Sequence, residues 1–255
     1  MSAYLLSVKQ LARRLGTVAF LSLAGFYGAQ FQRLYMVNRG DLFANEQQMI
    51  KDDTNYYHSL HEQVMLAYDE KQSNERERES GILRLRQQLA GKATGIVLEL
   101  NIGMHRNMEF YDRKKIVKLF GVDWVQSAVN KCELKDSDST FILADSHKLP
   151  FPDEQFDTVV DTFGLECSYD LEAQYAEIKR MTKKGGKILL MNRGLGFWQF
   201  DNFTLMRKAS LNLGARAQVY HHDYSLMIEA DPEVRIVKAK RKMRGMIHYF
   251  ELQKL

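Results

Sequence analysis

The sequence predicts an α/β protein built on a mostly parallel sheet, and three observations support this fold class. Short runs of β-branched and apolar residues alternate with segments of helical spacing between residues 93 and 194. These runs contain few polar residues, which is typical of strands that are covered on both faces. From residue 234 onward the pattern alternates instead, which predicts an antiparallel pair at one end of the sheet.

Five strands and two helices account for the parallel part. The predicted strands are 95–100, 116–124, 140–145, 156–163 and 186–194, and the predicted helices are 124–135 and 171–184. The pair Gly185–Gly186 predicts a turn before the fifth strand. Two more strands, joined near Arg244–Gly245, are expected to close the sheet as an antiparallel hairpin.

The charge of the chain is concentrated at its beginning. The 255 residues carry a net charge of +4, with basic and acidic residues interspersed through most of the sequence. This mild balance does not predict nucleic-acid binding. Before Asp41 there is no acidic residue, and this segment holds five basic residues: Lys9, Arg13, Arg14, Arg33 and Arg39.

An uncharged stretch of 18 residues lies between Arg14 and Arg33. As a helix it would be about 27 Å long, close to the thickness of a bilayer core. A secretory signal peptide and a cleaved mitochondrial presequence are the two alternatives. Residues 1–17 lack acids and contain Arg and Ser, and no small-x-small cleavage site is evident after Phe31, so we expect a retained mitochondrial membrane anchor.

The sequence therefore predicts three parts: a targeting and transmembrane segment (1–40), a polar helical stalk (41–92) and an α/β domain (93–255). Within the stalk, the charged run at 74–80 is interpreted as a solvated helical face. The two cysteines, Cys132 and Cys167, lack metal-like spacing and are expected to be buried thiols.

Acidic residues stand at the predicted carboxyl ends of four strands: Glu99, Asp123, Asp145 and Asp161. Ligands of open parallel sheets bind beyond these ends. A carboxylate after the second strand offers two oxygens to the two hydroxyls of a ribose. Together the four acids predict a pocket for a nucleoside.

Two segments resemble a known family. Residues 143–166, which include "LPFPDEQFDTVV", and residues 177–194 resemble the class I S-adenosylmethionine-dependent methyltransferases of the type 11 group. The first loop resembles E-x-G-x-G-[ST]-x-x-N-x-x-x-Y of a mitochondrial membrane-anchored branch, through Glu99, Gly103, Asn107 and Tyr111. The resemblance covers residues 93–255 and implies a Rossmann-like fold.

The resemblance also implies a cofactor site for S-adenosylmethionine. The residues it assigns there are Glu99, Asn101, Gly103, Asp123, Asp145, Ser146 and, in the pocket wall, Phe163. Glu99 and Gly103 would line the methionine end, Asp123 would hold the ribose, and Asp145 with Ser146 would face the adenine. No catalytic base is nominated, since positioning alone accelerates methyl transfer. The adjacent histidines at 221 and 222 do not predict a metal site, because neighbouring side chains of an extended segment point in opposite directions.

Several positions depart from the family pattern around this one pocket. Asn101 stands where the family has a glycine, and Met104 replaces a small residue. Glu166–Cys167 stand in place of Cys-Ser, and Asn192–Arg193 in place of Glu-His. A side chain at 101 is expected to crowd the cofactor.

These observations leave two main hypotheses and one minor one. The first is a degenerate methyltransferase fold that serves as an accessory subunit of a mitochondrial inner-membrane complex, in contact with the bilayer and protein partners. The second is an active methyltransferase, using S-adenosylmethionine, that acts on a lipid-soluble small molecule or a neighbouring protein. The third is a soluble enzyme whose leader is removed.

Overall fold

The computed structural model describes Glu62, residues 70–196 and residues 222–255. Seven strands lie in these ranges: β1 (Gly95–Leu100), β2 (Ile116–Asp123), β3 (Thr140–Leu143), β4 (Phe156–Thr162), β5 (Thr182–Arg193), β6 (Val234–Lys242) and β7 (Ile247–Lys254). They form one sheet in the order β3-β2-β1-β4-β5-β7-β6. The strands from β3 to β5 are parallel neighbours. Strand β7 runs antiparallel to both β5 and β6, so the predicted mostly parallel sheet with an antiparallel C-terminal pair is confirmed.

Five helices lie in the described ranges: α1 (Glu70–Ser80), α2 (Ile82–Ala90), α3 (Gln126–Lys135), α4 (Leu171–Met181) and α5 (Tyr224–Glu229). Helices α3 and α4 are the crossovers from β2 to β3 and from β4 to β5, which parallel neighbours require. The side chain of Asp170 caps α4 by accepting the amide of Ala173.

Apolar residues cover both faces of the sheet. On one face, Ile178 of α4 and Ile228 of α5 pack with Leu98 of β1. On the other, Leu85 and Leu89 of α2 pack with Val97 of β1. This double covering explains why the parallel strands show continuous apolar runs.

One local prediction needs correction. Gly185 and Gly186 do not precede the fifth strand; β5 begins at Thr182 and contains them. The pairing with β4 jumps from Thr182 to Lys187, so the intervening residues bulge out of the ladder. Gly185 supplies the positive φ of 75° in this bulge.

The predicted stalk is described only in part. Its last helix, α2, packs in the same buried cluster as β1, and Ile82 is the first member of that cluster in the described part of the chain. The boundary after residue 92 stays a prediction.

The predicted membrane span, 15–32, lies outside the described residues. None of the helices within the described ranges combines the length and the apolar character that a membrane crossing requires.

Candidate functional site

The predicted site residues all lie at one edge of the sheet, where the parallel strands end. Glu99 is the penultimate residue of β1, Asp123 is the last residue of β2, and Asp145 follows β3. Phe163 follows β4, which is the neighbour of β1. Strand order changes direction between β1 and β4, and such a switch point is where open α/β sheets bind ligands.

Glu99 fastens the loop that follows β1. Its side chain is buried and accepts hydrogen bonds from Asn107 Nδ2 at 2.8 Å and from the Tyr111 hydroxyl at 2.7 Å. Glu99, Asn107 and Tyr111, whose spacing carried the resemblance, therefore form a hydrogen-bonded cluster within the protein, which we call the clasp. Contact of Glu99 with a ligand stays a prediction.

A buried ion pair connects this clasp to the helices before the sheet. Arg86 donates to Asn107 Oδ1 at 2.9 Å and to Thr162 Oγ1 at 2.8 Å, and pairs with both oxygens of Glu77. Burial would raise the pKa of Glu77, but Arg86 and Arg106 outweigh it and lower that pKa. Sequence reasoning missed this pair because residues 74–80 had the composition of a solvated face.

His105 completes the clasp from a left-handed backbone conformation, with φ of 55°. Its ring lies between two carboxylates, with Nδ1 3.7 Å from Glu99 Oε2 and Nε2 3.4 Å from Asp136 Oδ2. Burial would lower the pKa of His105, but the two carboxylates outweigh it and raise that pKa. The loop is thus held by charge as well as by hydrogen bonds.

Asn101 points at a buried carboxylate. Its φ is 50°, and Nδ2 donates to Asp161 Oδ2 at 2.9 Å. Asp161 has no exposed surface and also accepts from Asn192 Nδ2 at 3.1 Å and from the amide of Leu165 at 3.1 Å. Burial raises the pKa of Asp161, and these donors oppose the rise. The asparagine that replaces the family glycine is therefore held across the ends of β1 and β4.

Gly164 makes room for this bridge. A Cβ atom at position 164 would lie 2.2 Å from both Asn101 Nδ2 and Asp161 Oδ2. Any side chain there would force the bridge to move.

Glu166 and Arg193, a second pair of residues that depart from the family pattern, are also in contact. The buried carboxylate of Glu166 accepts the amide of Arg193 at 2.8 Å, and its other oxygen lies 3.3 Å from the Arg193 guanidinium. Burial raises the pKa of Glu166 to about 7, although Arg193 opposes the rise. Asn192, beside Arg193, is the residue that bonds Asp161. Four of the departures, Asn101, Glu166, Asn192 and Arg193, thus take part in contacts where β1, β4 and β5 end.

Asp123 is held by the backbone. One oxygen accepts the amide of Gly103 and the other accepts the amide of Val125, each at 2.9 Å. Burial raises the pKa of Asp123 to about 6 against these donors. Gly103 has a φ of 52°, a conformation that favours glycine. Asp123, the residue predicted to bind the ribose, therefore contacts Gly103, the glycine of the first loop.

Asp145 lies in an aromatic cluster. One oxygen lies 2.6 Å from His147 Nδ1, and the other accepts the Tyr169 hydroxyl at 2.6 Å. Burial would raise the pKa of Asp145, but these partners lower it to about 2. The ring of Tyr169 stacks with His147 and with Trp124, at centroid distances of 3.7 Å and 5.9 Å. Sequence reasoning missed Tyr169, because no motif contains it.

Phe163 and Ser146 complete the predicted set. The Phe163 ring lies 4.6 Å from the Arg193 guanidinium and 5.2 Å from that of Arg86, so two cations contact it. Ser146 is buried beside Asp145.

This arrangement does not fit S-adenosylmethionine as the resemblance would place it. The group expected to face adenine, Asp145, has both oxygens bonded by Tyr169 and His147. Where the family has a glycine, Asn101 places a side chain bonded to Asp161. A cofactor placed there would have to share these oxygens with Tyr169, His147 and Asn101 or displace their side chains. Among the described residues, no group of three or more His, Cys, Asp or Glu side chains could hold a metal ion.

Comparison with protein families places a methyltransferase domain on the same strands. Residues 98–190 match the family model described as "Methyltransferase domain". A ubiquinone/menaquinone biosynthesis C-methyltransferase of Burkholderia cenocepacia is 42% identical over 50 residues, which are 20% of this chain and 21% of that protein. The chain thus matches only about a fifth of that relative's length. A phosphatidylethanolamine N-methyltransferase of Cereibacter sphaeroides is 24% identical over 163 residues, covering 61% of this chain and 78% of the relative.

Solved methyltransferases share the fold. Geranyl diphosphate C-methyltransferase of Streptomyces coelicolor, in complex with S-adenosyl-L-homocysteine, superposes with a TM-score of 0.52 at 14% identity over 69% of this chain and 79% of that one. The N-methyltransferase NodS of Bradyrhizobium japonicum, also with that ligand, gives a TM-score of 0.51 at 14% identity over 71% and 87%. At this identity the likeness shows the fold alone.

Proposed function

Residues 98–190 of this chain match a methyltransferase domain, and from that premise we propose that the protein is a catalytically degenerate member of this fold that serves as a structural subunit. The proposal includes the rest of the sequence prediction. The segment 15–32 anchors the protein in the mitochondrial inner membrane, and the domain binds protein partners in a membrane complex such as one of the respiratory chain or an ATP synthase.

One observation carries the proposal: the bridge from Asn101 to Asp161. Asp161 lies at the switch point between β1 and β4, where a cofactor's reactive end would be bound. Its oxygens accept from Asn101 and Asn192, two residues that depart from the family pattern. Asn101 has a φ of 50°, a conformation that asparagine tolerates better than most residues. The loop therefore keeps the backbone conformation of a glycine loop and carries a side chain at this position.

The paired departures also support this proposal. A buried polar group that is left without a hydrogen-bond partner costs about 1–3 kcal/mol. Here Asn101 and Asn192 donate to one carboxylate, and Glu166 pairs with Arg193. These contacts stabilise the fold without a ligand, although Asn192 Oδ1 is buried without a hydrogen-bond partner among the described residues.

An active methyltransferase is the second candidate, and the pairing of Gly103 with Asp123 favours it. The amide of Gly103 positions the Asp123 carboxylate beside the first loop, as a ribose site requires. Two relatives carry names that refer to lipid-soluble substrates, a quinone and a phospholipid. Such a substrate would suit an enzyme anchored to a membrane. If active, the protein would use S-adenosylmethionine as methyl donor, and its own residues would bind and orient donor and acceptor.

Calorimetric titration separates the two candidates. The full-length protein in mild detergent is titrated with S-adenosylmethionine up to about 1 mM, which equals the Kd of an interaction of roughly −4 kcal/mol. The structural proposal predicts no saturable heat. Saturable binding with a Kd in the low micromolar range would contradict it and support the enzyme.

A further inference from the structure

The segment after β4 reaches across the sheet edge to a distant strand. Tyr169 follows the single 3-10 turn Leu165–Cys167 that comes after β4. Its hydroxyl nevertheless contacts Asp145, which follows β3. In the sheet β3 and β4 are separated by β2 and β1, three strand spacings or roughly 14 Å. Residues 163–170 therefore form a strap over the carboxyl ends of β1 and β2.

Tyr169 is the tip of this strap, and it fills an aromatic slot. Its ring stacks with that of Trp124, which follows β2, and with that of His147, which follows β3. The Tyr169 plane makes an angle of 19° with Trp124 and 28° with His147. Offset stacking of aromatic rings is favourable.

Hydrogen bonds hold the tip from both sides. The Tyr169 hydroxyl donates to Asp145 Oδ2 at 2.6 Å. His147 contacts Asp145 through Nδ1 at 2.6 Å and the Ser168 hydroxyl through Nε2 at 2.8 Å. The order Asp145, His147, Ser168 is also that of a nucleophilic relay, but Ser168 is buried and Tyr169 covers the His147 ring. These contacts close the strap.

We propose that Tyr169 is an internal ligand that occupies a slot for a planar, amino-bearing heterocycle of the purine class, and that the slot opens only when the strap lifts. The ring of Tyr169 stacks where the heterocycle would stack, and its hydroxyl donates to the carboxylate that would accept the heterocycle's amino group. The inference rests on the proposed function and deepens it: the Asn101–Asp161 bridge occupies one end of the cleft, and Tyr169 occupies the end that would receive the heterocycle.

The test removes the ring and measures binding. Full-length Tyr169→Ala and Tyr169→Leu, in mild detergent, are titrated with adenosine, which lacks the methionine end that would meet the Asn101–Asp161 bridge, beside the wild type and Tyr169→Phe. Retention of the wild-type near-ultraviolet circular dichroism identifies folded variants. Phenylalanine keeps the ring in the slot and is the matched control. We expect the Ala and Leu variants to bind at least tenfold more tightly than wild type and Phe.

The outcomes distinguish this inference from the function on which it rests. Folded Ala or Leu variants that bind no better than wild type overturn the strap, while the structural role stands. Tight binding of adenosine by the wild type also overturns the closed slot, whereas the titration of the wild type with S-adenosylmethionine tests the structural role separately. If Ala is unfolded, the Leu variant decides. Should neither variant fold, Tyr169 is a core residue and the inference is wrong.

Discussion

At the scale of single residues, the site depends on which side chains satisfy Asp161. This carboxylate has no exposed surface and receives donors from Asn101, Asn192 and the backbone of Gly164 and Leu165. Hydrogen bonds to a charged group are stronger than those between neutral groups. Asn101 therefore has two functions, one in hydrogen bonding and one in backbone conformation.

Substitution at position 101 separates these two functions. Asn101→Gly loses the bond to Asp161 but suits a φ of 50°. Asn101→Ala loses the same bond and adds left-handed strain of about 1–2 kcal/mol. We expect roughly 1–2 kcal/mol of destabilisation for Gly and roughly 2–4 kcal/mol for Ala. Urea unfolding followed by fluorescence measures both, and an Ala variant within 0.5 kcal/mol of wild type would rule out the bridge.

The sequence predicted the position of the site better than its contacts. Asp123 and Asp145 could be located because they close strands with clear apolar patterns. The partner of Asn101 could not be predicted, because Asp161 is sixty residues away and the register of β1 against β4 decides which carboxylate it meets. The contact of Tyr169 with Asp145 could not be predicted either, because it depends on the path of the strap.

At the scale of secondary-structure elements, a buried acid joins the 3-10 turn Leu165–Cys167 to β5. Glu166 on this turn accepts the amide of Arg193 at the end of β5. Its pKa is raised from 4.5 to about 7, chiefly by burial. The folded state therefore binds this proton more tightly than the unfolded chain does.

The sign of the pH dependence follows from this shift. The stabilising effect of the bound proton is complete below the unfolded pKa near 4.5 and is lost as the pH rises through about 7. Between pH 5 and pH 8 the wild type should lose roughly 2–3 kcal/mol relative to Glu166→Gln, which cannot titrate. Comparing the two proteins cancels other groups, including Asp123. Parallel unfolding free energies at both pH values would show that Glu166 titrates normally.

Elements were easier to predict than their ends. The strands follow from apolar runs, and the crossover helices from their spacing. The Gly185–Gly186 pair was placed at a turn, whereas β5 continues through it as a bulge. Glycine allows either geometry, and only pairing with β4 selects between them. Helix α2 was assigned to the stalk because its charged neighbours concealed a buried face.

At the scale of the whole molecule, the fold is that of a methyltransferase, whereas the contacts of the site differ from the family pattern. The strand order and the antiparallel β7 are those of the methyltransferase fold that the sequence predicted. A fold of this kind does not by itself determine activity, which depends on the site. In this protein the edge of the sheet that would receive a cofactor is spanned by contacts among the chain's own residues. The anchor and the partners remain proposals from the sequence.

A crystal structure of the protein soaked in S-adenosylmethionine tests the central claim most directly. We predict no nucleoside density beside Gly103 and Asp123, with Asn101 Nδ2 still near its 2.9 Å distance from Asp161 and Tyr169 still on Asp145. A nucleoside bound in that space, with Asn101 turned away from Asp161 and Tyr169 displaced, would contradict the account.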